Sequence, residues 1–320
     1  MAADDGKALY GQPAQRPIRS CRILIIKGTH ECASCMGDKS RNLLIRSLSG
    51  LVLLGIVLAA VFCNKYTFGA LLLLIVIVGE HEFYRLARGK GLHPQSLVGI
   101  VAGIVMFGMC FILFARWGEG FDRGNTLALV TCGLYLIILV PLIFIGELFS
   151  RSDSPLGNIA ATLTGVLYVA YPVSFLLFIP LMLGGGEWRP LVFLMYLFIT
   201  WANDVFAYLV GMSIGRHRMC ERISPKKSWE GFFGGVAGAL GVGALGAYLT
   251  DGSYAVWIGA AAAASVAGVL GDLVESMFKR SSEVKDSGAL MPGHGGVLDR
   301  FDALLISSPI VFVYLAIVLL

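Results

Sequence analysis

Residues 125–147 read NTLALVTCGLYLIILVPLIFIGE, and this stretch decides the fold class. Its one charged side chain, Glu147, stands at the last position. A helix needs about 20 consecutive apolar residues to cross the hydrocarbon core of a bilayer. The stretch is continuously apolar rather than alternating, which speaks against a membrane β-strand and leaves a helix as the spanning form.

Working outward, eight more apolar runs follow the same rule, at 47–63, 67–84, 95–115, 157–183, 190–214, 229–250, 254–275 and 303–320. The reading is an all-α, polytopic integral membrane protein with about nine transmembrane helices. The composition agrees: of 320 residues, 57% are hydrophobic and 14% charged, with a mean hydropathy of +0.77. Soluble domains are nearer 45–50% and about 25%. A disordered chain, a nucleic-acid reader and an ordinary soluble enzyme are thereby excluded. The first two runs are short and joined by Asn64-Lys65, which predicts a tight hairpin.

Basic residues set the orientation. With nine spans, the N-terminal tail and the loops after spans two, four, six and eight share one side. From residue 36 onward that side carries sixteen Lys and Arg, and the other carries four: Lys65, Arg116, Arg123 and Arg189. The excess places the N-terminus in the cytoplasm. Residues 1–36 are expected to be a disordered polar extension. Residues 37–320 are expected to be one membrane-embedded domain, with 47–183 as scaffold and 190–320 as the catalytic part. Met36 is a candidate natural start, and the tail has no long apolar region of a secretory signal. Seven Cys are scattered without a disulfide framework. Cys32 and Cys35 with Cys21 and His30 form a metal site or simply an unstructured tail.

Three clusters of polar residues interrupt the apolar pattern. At the end of the run 254–275, Asp272, Glu275, Ser276 and Lys279 stand at i, i+3, i+4 and i+7, one face of a helix. This is either an ion pair closing a helix end or an acid-lined face holding a cation beside phosphates. The stretch 285–302 supplies Lys285 and Asp286, then Gly293, Gly295 and Gly296 around His294, then Asp299, Arg300 and Asp302. Such a glycine-rich loop turns backbone N–H groups toward an anion. Carboxylates from two segments are what a hard cation such as Mg²⁺ needs; capping Asp residues and turn glycines are the plainer account. In the third cluster, Asn203 and Asp204 sit inside an apolar helix, followed by Ser224, Lys226, Lys227 and Ser228. Paired lysines flanked by serines suit a phosphate, or are ordinary cytoplasmic positive charge. Glu80-His81-Glu82-Phe83-Tyr84-Arg85 lacks the zincin spacing and reads as an interfacial helix end. Glycines in 229–250 and small residues in 254–275 predict that these two spans pack closely together.

The run from Ser276 to Asp302 resembles the pattern of the phosphatidate cytidylyltransferases, or CDP-diacylglycerol synthases. Ser276, Lys279-Arg280, Lys285-Asp286, Gly288, Pro292, His294-Gly295-Gly296, Asp299-Arg300 and Asp302 stand at the family's intervals, with Met291 a conservative departure. The resemblance covers residues 37–320. It implies transfer of CMP from CTP to phosphatidic acid, giving CDP-diacylglycerol and pyrophosphate in phospholipid biosynthesis. It also implies Mg²⁺, with a second cation left open, a homodimer, and a place in the bacterial inner membrane with the active site facing the cytoplasm. The family's metal-binding acids fall on Asp272 and Asp299, and its Ser and Lys on Ser276 and Lys279. Ser224, Lys226, Lys227, Arg280, Lys285, His294 and Arg300 are then expected to bind substrate phosphates, with Asn203, Asp204, Glu275, Asp286 and Asp302 in support. A secondary transporter using intramembrane acids is the alternative from another class. A related CTP-using lipid enzyme is the nearer one.

Overall fold

The computed structural model describes residues 50–119, 123–284, 287–288 and 295–319. The expected tail 1–36, the Cys21/His30/Cys32/Cys35 group, Lys285, Asp286 and His294 lie outside these. Eight helices in the described residues have the length and composition to cross a membrane. A ninth apolar helix, α1 (Gly50–Cys63), is shorter over its described length. α2 (Lys65–Gly89), α3 (Ser96–Ala115), α4 (Arg123–Phe149) and the segment Pro155–Leu183 follow; α8 (Pro190–Ile214), α9 (Trp229–Thr250), α10 (Tyr254–Ser281) and α11 (Leu298–Leu319) complete the bundle.

Local chemistry explains the joints. Asn64 alone separates α1 from α2. Its side chain accepts from the N–H groups of Tyr66 (2.8 Å) and Thr67 (2.9 Å), and the Thr67 hydroxyl accepts from the Asn64 N–H at 3.1 Å. This reciprocal cap is the expected tight hairpin. The run 157–183 is not one regular helix. It divides into α5 (Pro155–Gly165), a π-helical turn (Val166–Ala170), α6 (Tyr171–Phe175) and α7 (Ile179–Leu183). Pro172 and Pro180 lack the N–H that a continuous α-helical ladder requires. The Pro172 carbonyl accepts from the Ser308 hydroxyl of α11 at 2.7 Å.

The stretch 80–85 does not follow the second span but lies inside α2, which runs on to Gly89. Tyr84 fills a slot between α3 and α5, where a Cβ on Gly99 or Gly165 would strike its ring or hydroxyl. That hydroxyl donates to the Thr162 carbonyl at 2.9 Å. The glycines of α9 do not all serve the α9–α10 contact. Gly231, Gly234, Gly235 and Gly238 abut Ala207, Val210, Asn203 and Phe206 of α8, while Gly243 and Gly246 abut Ala261 and Trp257 of α10. Close approach on two sides uses two glycine faces, which a single stripe of small residues could not supply.

Helix ends with long loops gather at one end of the bundle. Arg85 donates to the Ser287 carbonyl at 3.2 Å, Ser282 to the Leu86 carbonyl at 3.3 Å, and Lys227 pairs with Asp272 at 2.6 Å. The scaffold loops meet through Glu147, a buried carboxylate that accepts from Asn158 at 2.7 Å and Gln95 at 3.4 Å. The Asn158 side-chain oxygen, Oδ1, in turn accepts from the His93 N–H at 2.6 Å. Glu147→Ala leaves the buried Asn158 amide one acceptor short, a loss of about 1–3 kcal/mol. The expected result is a lower thermal midpoint in detergent followed by tryptophan fluorescence; an unchanged midpoint would show the network to be dispensable.

Candidate active site

The polar end of α10 carries its residues on one face, as the spacing predicts. Lys279 Nζ lies 2.7 Å from Glu275 Oε2 and 2.7 Å from Asp299 Oδ1. The first contact is the i, i+4 pair along α10; the second joins α10 to the first turn of α11. α11 can come this close because Gly271 packs on the Asp302 carbonyl and Ala303, where a Cβ would lie 2.5 Å from that oxygen. The same approach brings Asp302 beside α10. Carboxylate oxygens of Asp272, Glu275 and Asp302 lie within 4.8 Å of one another. Ser276 donates to Asp272 Oδ1 at 3.3 Å.

Lys227 reaches the cluster from α9's side, 2.6 Å from Asp272 Oδ2 and 3.3 Å from the Val269 carbonyl. The stretch between α8 and α9 contains a short antiparallel hairpin of β1 (Arg218–Cys220) and β2 (Ser224–Ser228). Alternation along β2 turns Lys226 outward and Lys227 inward, as their exposed and half-buried states record. Glu230 anchors the hairpin: His217 Nδ1 lies 2.6 Å and the His217 N–H 3.2 Å from its Oε1. Ser228 caps α9 by accepting from the Gly231 N–H at 3.2 Å.

Between the hairpin and helices α8, α9 and α10 lies a cavity of about 560 Å³. Asp204, Arg218, Lys226, Lys227, Ser228 and Asp272 give it a polar lining, and Ala207, Met212, Phe232 and Val269 an apolar one. Asp204 faces this space, whereas its neighbour Asn203 is buried against Gly235 of α9. Ser224 is half-buried on β2 outside the cavity lining; Arg280 and Arg300 are exposed.

Of the expected metal pair Asp272 and Asp299, Asp272 converges with Glu275 and Asp302 among the described carboxylates. Asp299 accepts through Oδ1 from Lys279, and through Oδ2 from the Ser287 N–H (3.0 Å), the Ser287 hydroxyl (3.0 Å) and the Gly296 N–H (2.8 Å). Its oxygens hold the loop. Glu275 Oε1, by contrast, is buried without a hydrogen-bond partner. Three carboxylates with one orphaned oxygen are a donor set that fits a hard divalent cation.

Residues 44–318 match the model of the Cytidylyltransferase family. The chain belongs to that family. It is 29% identical over 301 residues to the phosphatidate cytidylyltransferase of Synechocystis sp. (strain ATCC 27184 / PCC 6803 / Kazusa), covering 86% of this chain and 97% of that one. The phosphatidate cytidylyltransferase of Haemophilus influenzae is 31% identical over 288 residues, 82% and 95% of the two chains. That of Staphylococcus aureus (strain COL) reaches 45% over 126 residues, 38% of this chain and 48% of its own.

Two residues at this end were not foreseen from the sequence. Arg218 lines the cavity, and Glu82 of α2 touches the loop before α11. A signal for Glu82 existed: an acid inside an apolar helix, about two turns from its end, is costly unless paired. For Lys279→Ala, which strands two carboxylates that share one ammonium, activity should fall roughly 100-fold. Lys90→Ala, at the exposed end of α2, should stay near wild type. Equal losses in a membrane assay would mean that only bulk positive charge matters.

Proposed function

We propose that this chain transfers CMP from CTP to phosphatidic acid, releasing pyrophosphate and leaving CDP-diacylglycerol in the membrane. One observation carries the reading: a single cavity joins fixed cations, Arg218, Lys226 and Lys227, to a converging carboxylate cluster through the Lys227–Asp272 pair. The same cavity has an apolar wall on helices that reach into the bilayer. A soluble polyanion and a lipid phosphate both need that combination. The phosphatidate cytidylyltransferases among the relatives are named for this chemistry.

The reaction joins two polyanions. A phosphate oxygen of the lipid attacks the α-phosphorus of CTP in line; the bond from that phosphorus to the β-phosphate oxygen breaks, and pyrophosphate departs with the electron pair. The nucleophile is already an anion, so the protein's task is placement and charge neutralisation rather than base catalysis. Lys226, Lys227 and Arg218 neutralise phosphates on the hairpin side. Lys279 does so from α10, with Arg280 and Arg300 at the rim. Ser276 and Ser224 orient phosphate oxygens, and Asp204 orients groups in the cavity.

Asp272, Glu275 and Asp302 would hold a divalent cation, Mg²⁺ in this reading, whose charge when bound would offset that of the phosphates. Asp299 keeps Lys279 and the loop in place. Lys285 and His294 are assigned to phosphate binding, and Asp286 to a supporting role, on the motif alone. The site faces the cytoplasm of a bacterial inner membrane, where CTP is made. Residues 37–320 act as one catalytic membrane domain, paired with a second copy.

Membranes carrying the full chain, given labelled CTP, should yield labelled CDP-lipid only when phosphatidic acid and Mg²⁺ are both added. Asp272→Asn should remove that product while membrane insertion persists. Absence of CDP-lipid from the wild type, or near-normal yield from the variant, would overturn the assignment.

A further inference from the structure

α2 belongs to the scaffold half of the chain, yet one of its side chains reaches the loop that carries Asp299. Glu82 is buried, at 4% exposure. Its Oε1 accepts from the Val297 N–H at 3.1 Å and its Oε2 from the Leu298 N–H at 3.0 Å. The Ser287 hydroxyl stands 3.4 Å from Glu82 Oε2 and 3.0 Å from Asp299 Oδ2, so the two carboxylates share one proton donor. Successive N–H groups are divided between them: Gly296 serves Asp299, and Val297 and Leu298 serve Glu82. The backbone thus forms a small nest filled by two side-chain anions. Arg85, one turn along α2, donates to the Ser287 carbonyl from the same side.

Two glycines of the motif gain a physical reason from this contact. A Cβ on Gly288 or on Gly296 would run into the Glu82 carboxylate. The glycines are there so that backbone can close on a side chain arriving from another helix. An ordinary helix cap comes from a neighbour in sequence; here the acceptor is 215 and 216 residues away from its donors.

We propose that Glu82 is a positioning residue for the transfer reaction: it holds Ser287 and the backbone of Val297 and Leu298 so that Asp299 presents Lys279 to the site. The inference rests on the site assignment above, because it gives Glu82 a role only through Asp299 and Lys279. Among the described residues, the hydrogen bonds of Glu82 go to Ser287, Val297 and Leu298 rather than to the cavity lining. Its loss therefore misplaces groups that act in the transition state rather than removing a substrate contact, which lowers kcat more than it raises KM. A carboxylate is needed because two adjacent N–H donors require two acceptor oxygens. An amide at this place would set a donor against a donor.

The test uses the purified full chain in mixed micelles of phosphatidic acid with CTP and Mg²⁺. Glu82→Gln, nearly isosteric, should lower kcat roughly 10- to 100-fold, with KM for CTP close to wild type. Glu147→Gln, at the buried carboxylate of the scaffold, serves as the control. It should lower the thermal midpoint while leaving kcat near wild type. Wild-type kcat in Glu82→Gln, or a fall matched by Glu147→Gln at equal loss of midpoint, would overturn the proposal. Should Glu82→Gln fail to insert, Ser287→Ala decides. It deletes the shared hydroxyl, and a several-fold loss of kcat is expected, with an unchanged kcat overturning the idea. Asp299→Asn, run in parallel, separates the two layers. If it is inactive while Glu82→Gln is normal, the positioning role alone falls. If Asp299→Asn is fully active, the site assignment falls and the positioning role with it.

Discussion

The Lys279 ammonium is the point on which the catalytic half of this protein turns. It is 15% exposed and sits between Glu275 on its own helix and Asp299 on the next, 2.7 Å from each. Two carboxylates that are themselves 1% and 8% exposed would be expensive without it. Removing one partner of a buried pair costs far more than the pair contributes net, because the survivor keeps its desolvation penalty. The lysine therefore commits α10 and α11 to one relative placement. That placement sets Asp302 beside Asp272 and Glu275.

Around this junction the chain arranges two further supports. The hairpin β1–β2, fixed by Glu230 and Ser228, delivers Lys227 to Asp272 and closes the cavity from the α8–α9 side. On the opposite flank, α2 brings Glu82 and Arg85 to the loop before α11. The scaffold helices are thus more than a membrane filler. Their packing around Tyr84 seats α2 against α3 and α5, and α2 carries Glu82 to the residues before α11. α4, which buries little besides Leu139, Ile143 and Glu147, is free to face lipid along most of its length.

Much of this was legible in the sequence because each signal is local. Continuous apolar runs specify helices, and eight of the nine coincide with helices long enough to span. The face Asp272, Glu275, Ser276 and Lys279 follows from helical spacing alone. What the sequence hid depends on partners distant along the chain. Glu82 looked like an interfacial helix end because its partners are the backbone N–H groups of Val297 and Leu298, which leave no mark in side-chain identity. The oxygens of Asp299 meet Ser287, Gly296 and Lys279, contacts that nothing local in the sequence indicates. The packing of Asn203 on Gly235 of α9, beside Asp204 in the cavity wall, likewise has no local mark.

The central claim is that Lys279 and Asp299 work as one unit that assembles the site, and a double-mutant cycle on kcat addresses it most directly. CDP-diacylglycerol formation is measured for Lys279→Met, Asp299→Asn and the two combined, using labelled CTP to follow low rates. Residues that act as a unit give strongly non-additive losses. The account predicts that the combined variant is no slower than the worse of the two single variants. Losses that multiply would show two independent contributions and contradict it.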